Sequence, residues 1–95
     1  MGSEFISHLR ETIREWKEKE ATDAAKAAMK EGDAVAASHH AARANALHDS
    51  WRNPEAQREV DEEAVSQLRA SLSHPDPAVR NSARAGLQDF GIMFQ

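Results

Sequence analysis

The run His74-Pro75-Asp76-Pro77-Ala78-Val79-Arg80, set between Leu68/Leu72 and Ala83/Leu87/Phe90, constrains the fold of this chain more than any other segment. Asp76 ahead of Pro77 reads as an N-cap followed by proline at the first helical position. There the missing N–H removes no intrahelical bond and the fixed φ suits the helix. The apolar residues on either side recur at helical spacing, so two amphipathic helices joined by a stiff turn are expected.

The same punctuation recurs upstream. Gly32-Asp33 has the form of a helix C′ residue followed by the next N-cap, and Asn53-Pro54 repeats the cap-plus-proline signal. Alanine makes up roughly a fifth of the 95 residues and tyrosine is absent, so strand propensity is poor throughout. The expected architecture is all-α: an up-and-down antiparallel stack of four helices at about 4–30, 34–52, 54–72 and 77–90. Ile6, Leu9, Ile13 and Trp16 form a single-face stripe at 3,4,3 spacing, with Glu15 and Lys19 as an i,i+4 pair on the polar side. Beyond Trp16 the apolar phase slips to Ala21, Ala24, Ala25, Ala28 and Met29. The first helix therefore either drifts through to Lys30 or breaks near residues 20–22, with Thr22 as a cap; continuity is favoured. The inner face of the second helix is read as Ala37, His40, Ala44, Leu47 and Trp51. An unbroken first helix outruns the second, so its Leu9/Ile13/Trp16 end must lie across the third and fourth helices, bend back, or pair with a second copy.

Composition narrows the function. A 40% hydrophobic content suits one domain over residues 6–95, or a fragment of a larger protein. Met1-Gly2-Ser3-Glu4-Phe5 reads as an expression-tag remnant. The absence of cysteine rules out disulfides, cysteine zinc sites and thiol nucleophiles, and fits a reducing, cytoplasmic setting. No apolar run nears the ~18 residues of a membrane span. A formal charge of −4 argues against a nucleic-acid partner, and the Ala/Arg-rich composition has a bacterial flavour.

Chemistry-bearing residues are sparse. His39, His40 and His48 with Asp49 form the nearest approach to a ligand cluster, but His39 and His40 point about 100° apart on a helix and neither has a ligand at i+4. No metal, cofactor or small-molecule substrate is expected. Glu55, Glu59, Asp61, Glu62 and Glu63 open the third helix, where negative charge suits the helix dipole; they read as a solvated face. Protonation of nearby histidines below roughly pH 6.5 would strengthen contact with them. No serine has an activating partner, so the chain is read as non-enzymatic.

Residues 62–91, with Leu68, Leu72, Pro75-Asp76-Pro77, Val79-Arg80, Ala83, Leu87 and Phe90-Gly91, resemble a single HEAT-type helical repeat. That resemblance implies that Asp76 and Pro77 shape the turn, Val79 packs between repeats, and Arg80 reaches back toward the turn. It also implies a protein-interaction scaffold. The small-residue hairpin Ala25/Ala28/Gly32/Ala37/Ala44 is similar to tetratricopeptide hairpins, although the large aromatic positions of that motif are missing. The expected function is a protein-interaction or oligomerisation module, binding a protein partner or a second copy as a homodimer. Its contact residues would be Leu9, Ile13, Trp16, Trp51 and the apolar tail Ile92, Met93 and Phe94. The alternative is a small DNA-binding regulator, with a helix-turn-helix-like pair at 62–90 presenting Arg80, Asn81, Arg84 and Gln88.

Overall fold

In the computed structural model, which describes residues 2–91, one long helix serves as the spine for three shorter ones. The elements are α1 (Gly2–Lys30), α2 (Ala34–His48), a 3₁₀ turn (Ser50–Arg52), α3 (Pro54–Ser71) and α4 (Pro77–Asp89), with no strand among the described residues. This is the four-helix, all-α arrangement that the turn signals dictate. α1 runs unbroken through Thr22. At 1.5 Å per residue it is ~43 Å long against ~22 Å for α2, and the molecule measures 48 × 29 × 20 Å. The part of α1 that α2 does not reach lies across α3 and α4: Arg10 pairs with Asp61 of α3, and Phe5 lies close to Gly86 of α4. Of the three fates open to the overhang, the chain adopts intramolecular cover.

Local chemistry sets each turn. After α1, Gly32 takes φ +79°; its N–H bonds to the Met29 carbonyl at 3.0 Å and that of Asp33 to the Ala28 carbonyl at 2.9 Å. These are the paired bonds of a Schellman stop. Asp33 then starts α2 by accepting the Ala36 N–H at 3.0 Å on its side chain. Asp76 caps α4 in a similar way, accepting the Ala78 N–H at 2.9 Å. Asn53 behaves differently from its expected cap role. Its side chain makes no cap bond to α3; its Nδ2 instead donates backwards to the carbonyls of Asp49 and Ala46, at 2.9 and 3.4 Å. Proline at 54 forces Asn53 into extended backbone (φ −123°). The chain therefore unwinds before it, and α2 ends at His48 rather than near residue 52.

Two adjoining clusters form the core. Ile13, Ala21, Ala44, Leu47, Ala56, Val60 and Ala64 join α1, α2 and α3, while Ile6, Leu68, Ala83 and Leu87 join α1, α3 and α4; half-buried Leu9 and Phe90 touch both. Gly86 permits the close approach in the second cluster, because a Cβ there would come within 2.8 Å of a Leu68 methyl. Along α1 the buried line runs Ile6, Ile13, Ala21, Ala28. The single eight-residue step lies between Ile13 and Ala21, both members of the first cluster, and it matches the phase slip in the sequence.

Candidate interaction surface

Trp16 does not follow the stripe that predicted it. Ile6 and Ile13 are sealed at 6% and 3% exposure, whereas Trp16 is 48% exposed. The buried line has turned toward Ala21 by the time it passes Trp16, leaving the indole on the flank of α1. Trp51 departs further from its predicted inner-face position. Because α2 stops at His48 and the chain tightens into the 3₁₀ turn, Ser50 takes the buried place at 5% exposure and Trp51 turns outward at 71%. A cation sits near each indole: the Arg52 guanidinium 4.5 Å from the Trp51 ring centroid, and the Lys17 ammonium 5.5 Å from that of Trp16. Both tryptophans thus present aromatic surface to solvent beside a positive charge.

The other predicted contact residues divide differently. Ile13 is core and has no face to offer a partner; Leu9 is half-buried between the two clusters. Ile92, Met93 and Phe94 lie outside the described residues. Three further large apolar side chains are exposed, Phe5, Met29 and Val35. The last two flank the α1–α2 turn, beyond both core clusters, beside a shallow groove of about 280 Å³ lined by Ala25, Lys26, Met29, Ala37, Ser38 and Ala41. Periodicity could not mark Met29 and Val35 as exposed, because it says nothing of where a neighbouring helix ends.

Ion pairs join the helices where the sequence suggested only a solvated acidic face. Glu59 of α3 receives Arg43 from α2 and Lys17 from α1, the latter at 3.3 Å, with Glu63 a further 3.9 Å contact for Lys17. Asp61 accepts from Arg10 at 2.8 Å and from Gln57 at 3.1 Å. Burial alone would push the Glu59 carboxyl up, but the Arg43 and Lys17 bonds together outweigh it and hold the group below the ordinary glutamate range. The expected Glu15–Lys19 pair is replaced: Lys19 bonds Asp23 at 2.9 Å, while Glu15 lies 4.0 Å from Arg14. His48 faces Glu18 of α1 at 3.1 Å instead of the α3 carboxylates, and the half-buried His40 ring meets that of His39 edge-on, with centroids 5.8 Å apart.

The residues of the nucleic-acid alternative are also placed. Arg80 donates to the carbonyls of His74 and Pro75 at 2.8 and 3.0 Å, so its guanidinium braces the turn. Asn81, Arg84 and Gln88 are exposed, with Arg84 3.4 Å from the Asn81 side-chain oxygen. Among the described residues no group of three or more His, Asp or Glu gathers as a metal site, and no helix is long and apolar enough to cross a membrane. No protein-family model matches the chain, and no curated protein or solved structure matches it either.

Proposed function

We propose that this chain is a non-enzymatic protein-interaction module that meets its partner through exposed aromatic side chains on a rigid helical frame. One observation carries the reading: both tryptophans stand at the surface of a fold whose core is closed by smaller side chains. Tryptophan is the residue most enriched at energetic hot spots, and burying an exposed indole on a partner recovers apolar area that folding has left in water. The sequence resemblance of residues 62–91 to a HEAT-type repeat and the cysteine-free composition support a contact scaffold working in the cytoplasm.

Photo-crosslinking tests this directly. A benzoylphenylalanine at position 16 or 51, with a control at the charged, exposed α4 position 84, is irradiated in lysate and in concentrated pure protein. The reading predicts an adduct of defined mass from position 16 or 51 and none from the control. Monomer alone from both tryptophan positions, in both settings, contradicts it.

A further inference from the structure

Charge is unevenly placed on this chain, and Trp16 stands where it is most negative. Residues 11–23 of α1 and 55–63 of α3 hold ten acidic side chains against four basic ones, whereas the rest of the sequence holds eight basic against six acidic. The two segments form one belt in space: Ile13 shares a core cluster with Val60 and Ala64, and Lys17 of α1 bridges Glu59 and Glu63 of α3 at 3.3 and 3.9 Å. Arg10 and Arg43 reach in to Asp61 and Glu59 from outside. The remaining excess of four acids equals the formal charge of −4 on the whole chain. Arg14 is engaged by Glu11 and Glu18 at 2.6 and 2.9 Å, so Glu15, at 4.0 Å, is only loosely held. Glu20, Glu55 and Glu62 make no ion pair among the described residues. Of these carboxylates, exposed Glu15 adjoins Trp16 in sequence and exposed Glu20 lies one helical turn along the same side.

We infer that Trp16, with Glu15 and Glu20 beside it, is the receiving site for a basic segment of a partner protein, one arginine or lysine of which stacks on the indole. This rests on the reading of Trp16 as a contact residue and adds the chemistry of what it contacts. Charge selects the occupant. Nucleic acid and anionic membrane surfaces are repelled by the belt. A second copy offers no basic segment, since no two basic residues of this chain are adjacent in sequence. The Lys17 ammonium, 5.5 Å from the indole centroid, is already shared by Glu59 and Glu63, and Trp16 remains 48% exposed. Tryptophan is the best aromatic partner for a cation, and carboxylates without an internal counter-charge add Coulomb attraction. Trp51 has the opposite setting: the Arg52 guanidinium lies 4.5 Å from its ring centroid and pairs with no carboxylate among the described residues.

A twelve-residue peptide of repeating Arg-Ala-Ala, acetylated and amidated, serves as the probe, with its glutamate counterpart as the control. Binding is read from amide shifts of the ¹⁵N-labelled protein. The arginine peptide should perturb residues 12–23 more than residues 47–53, with an affinity that falls about tenfold between ~50 and ~500 mM salt. Glu15→Gln combined with Glu20→Gln should weaken it about fivefold. Glu31→Gln combined with Asp89→Asn, an equal change of net charge outside the belt, should leave it unchanged. Trp16→Leu keeps apolar bulk without the ring and should weaken binding about threefold. Equal weakening by the two charge-removing pairs, a Trp16→Leu chain that binds like wild type, or equal affinity for the glutamate peptide each overturns the inference. So does failure of the arginine peptide to bind where position 16 crosslinks a partner, a result that leaves the module reading standing. Binding as predicted, with no crosslink from either tryptophan, upholds this site and contradicts the module reading.

Discussion

The two ends of α1 are held by different physics. Toward its N-terminus, Ile6 and Ile13 pack with Val60, Leu68 and Leu87, large side chains that each bury substantial area. Toward its C-terminus the buried alanines where α1 meets α2 are Ala21 and Ala28 of α1 and Ala37 and Ala44 of α2, which bring two backbones close but contribute little area apiece. The hairpin end therefore depends on its caps and on ion pairs reaching back to α3. It also carries exposed Met29 and Val35. One continuous helix thus spans a region stabilised by apolar volume and a region stabilised by turn chemistry and charge.

Substitutions can break this contrast, and the largest effect belongs to the apolar end. Leu87 is fully buried, so Leu87→Ala should cost ~3 kcal/mol in urea unfolding. In the hairpin, Ala28→Gly removes one methyl and some helix propensity, for ~1 kcal/mol. Equal costs at the two sites would dissolve the distinction. Gly86→Val forces atoms into the space held by Leu68 and should cost ~2 kcal/mol, visible as a lowered Tm. If this variant were neutral, the close approach of α3 and α4 would be in doubt.

The capping and charge effects come next. Asp33→Ala removes the side-chain cap of α2 and should destabilise by ~1 kcal/mol; Asn53→Ala probes the backward bonds to Asp49 and Ala46 that terminate α2. Glu59→Gln removes the charge that Lys17 and Arg43 share, and for a pair about one-third exposed the expected loss is under ~1 kcal/mol. The Glu59 carboxyl sits below its usual value of 4.5 in the folded chain, so it binds protons less readily there than when unfolded. Its stabilisation is complete above that usual value and is lost as pH falls through the lower folded value. The gap between wild type and Glu59→Gln should therefore close on acidification below about pH 4.5 and stay constant between pH 6 and 8. The smallest stability effect is expected at Trp51, where Trp51→Ala should change unfolding by under ~0.5 kcal/mol while abolishing any association that uses this surface.

Turns were the most legible features of the sequence. Gly32-Asp33 and Asp76-Pro77 act through bonds spanning a few residues, so their chemistry can be read without knowing the rest of the fold. Trp16 and Trp51 could not be read this way. Each sits in register with an apolar stripe, yet Trp16 is left on the flank of α1 as the buried line turns toward Ala21, and Trp51 turns outward where α2 gives way to the 3₁₀ turn before Pro54. Gly86 reads as a weak point in a helix until Leu68 is seen against it. The bonds from Lys17 and Arg43 to Glu59 join three helices, and no local spacing predicts them. The candidate surface was thus named in part by residue type, while its geometry required the fold.

Residue-resolved native-state hydrogen exchange tests the division of α1 most directly. Amides of residues 24–40, in the alanine hairpin, should exchange through openings of lower free energy than those of residues 58–68 and 82–87, with a step in protection within α1 between Ile13 and Ala28. Uniform protection along α1, with the hairpin opening only when the whole chain unfolds, would contradict the account.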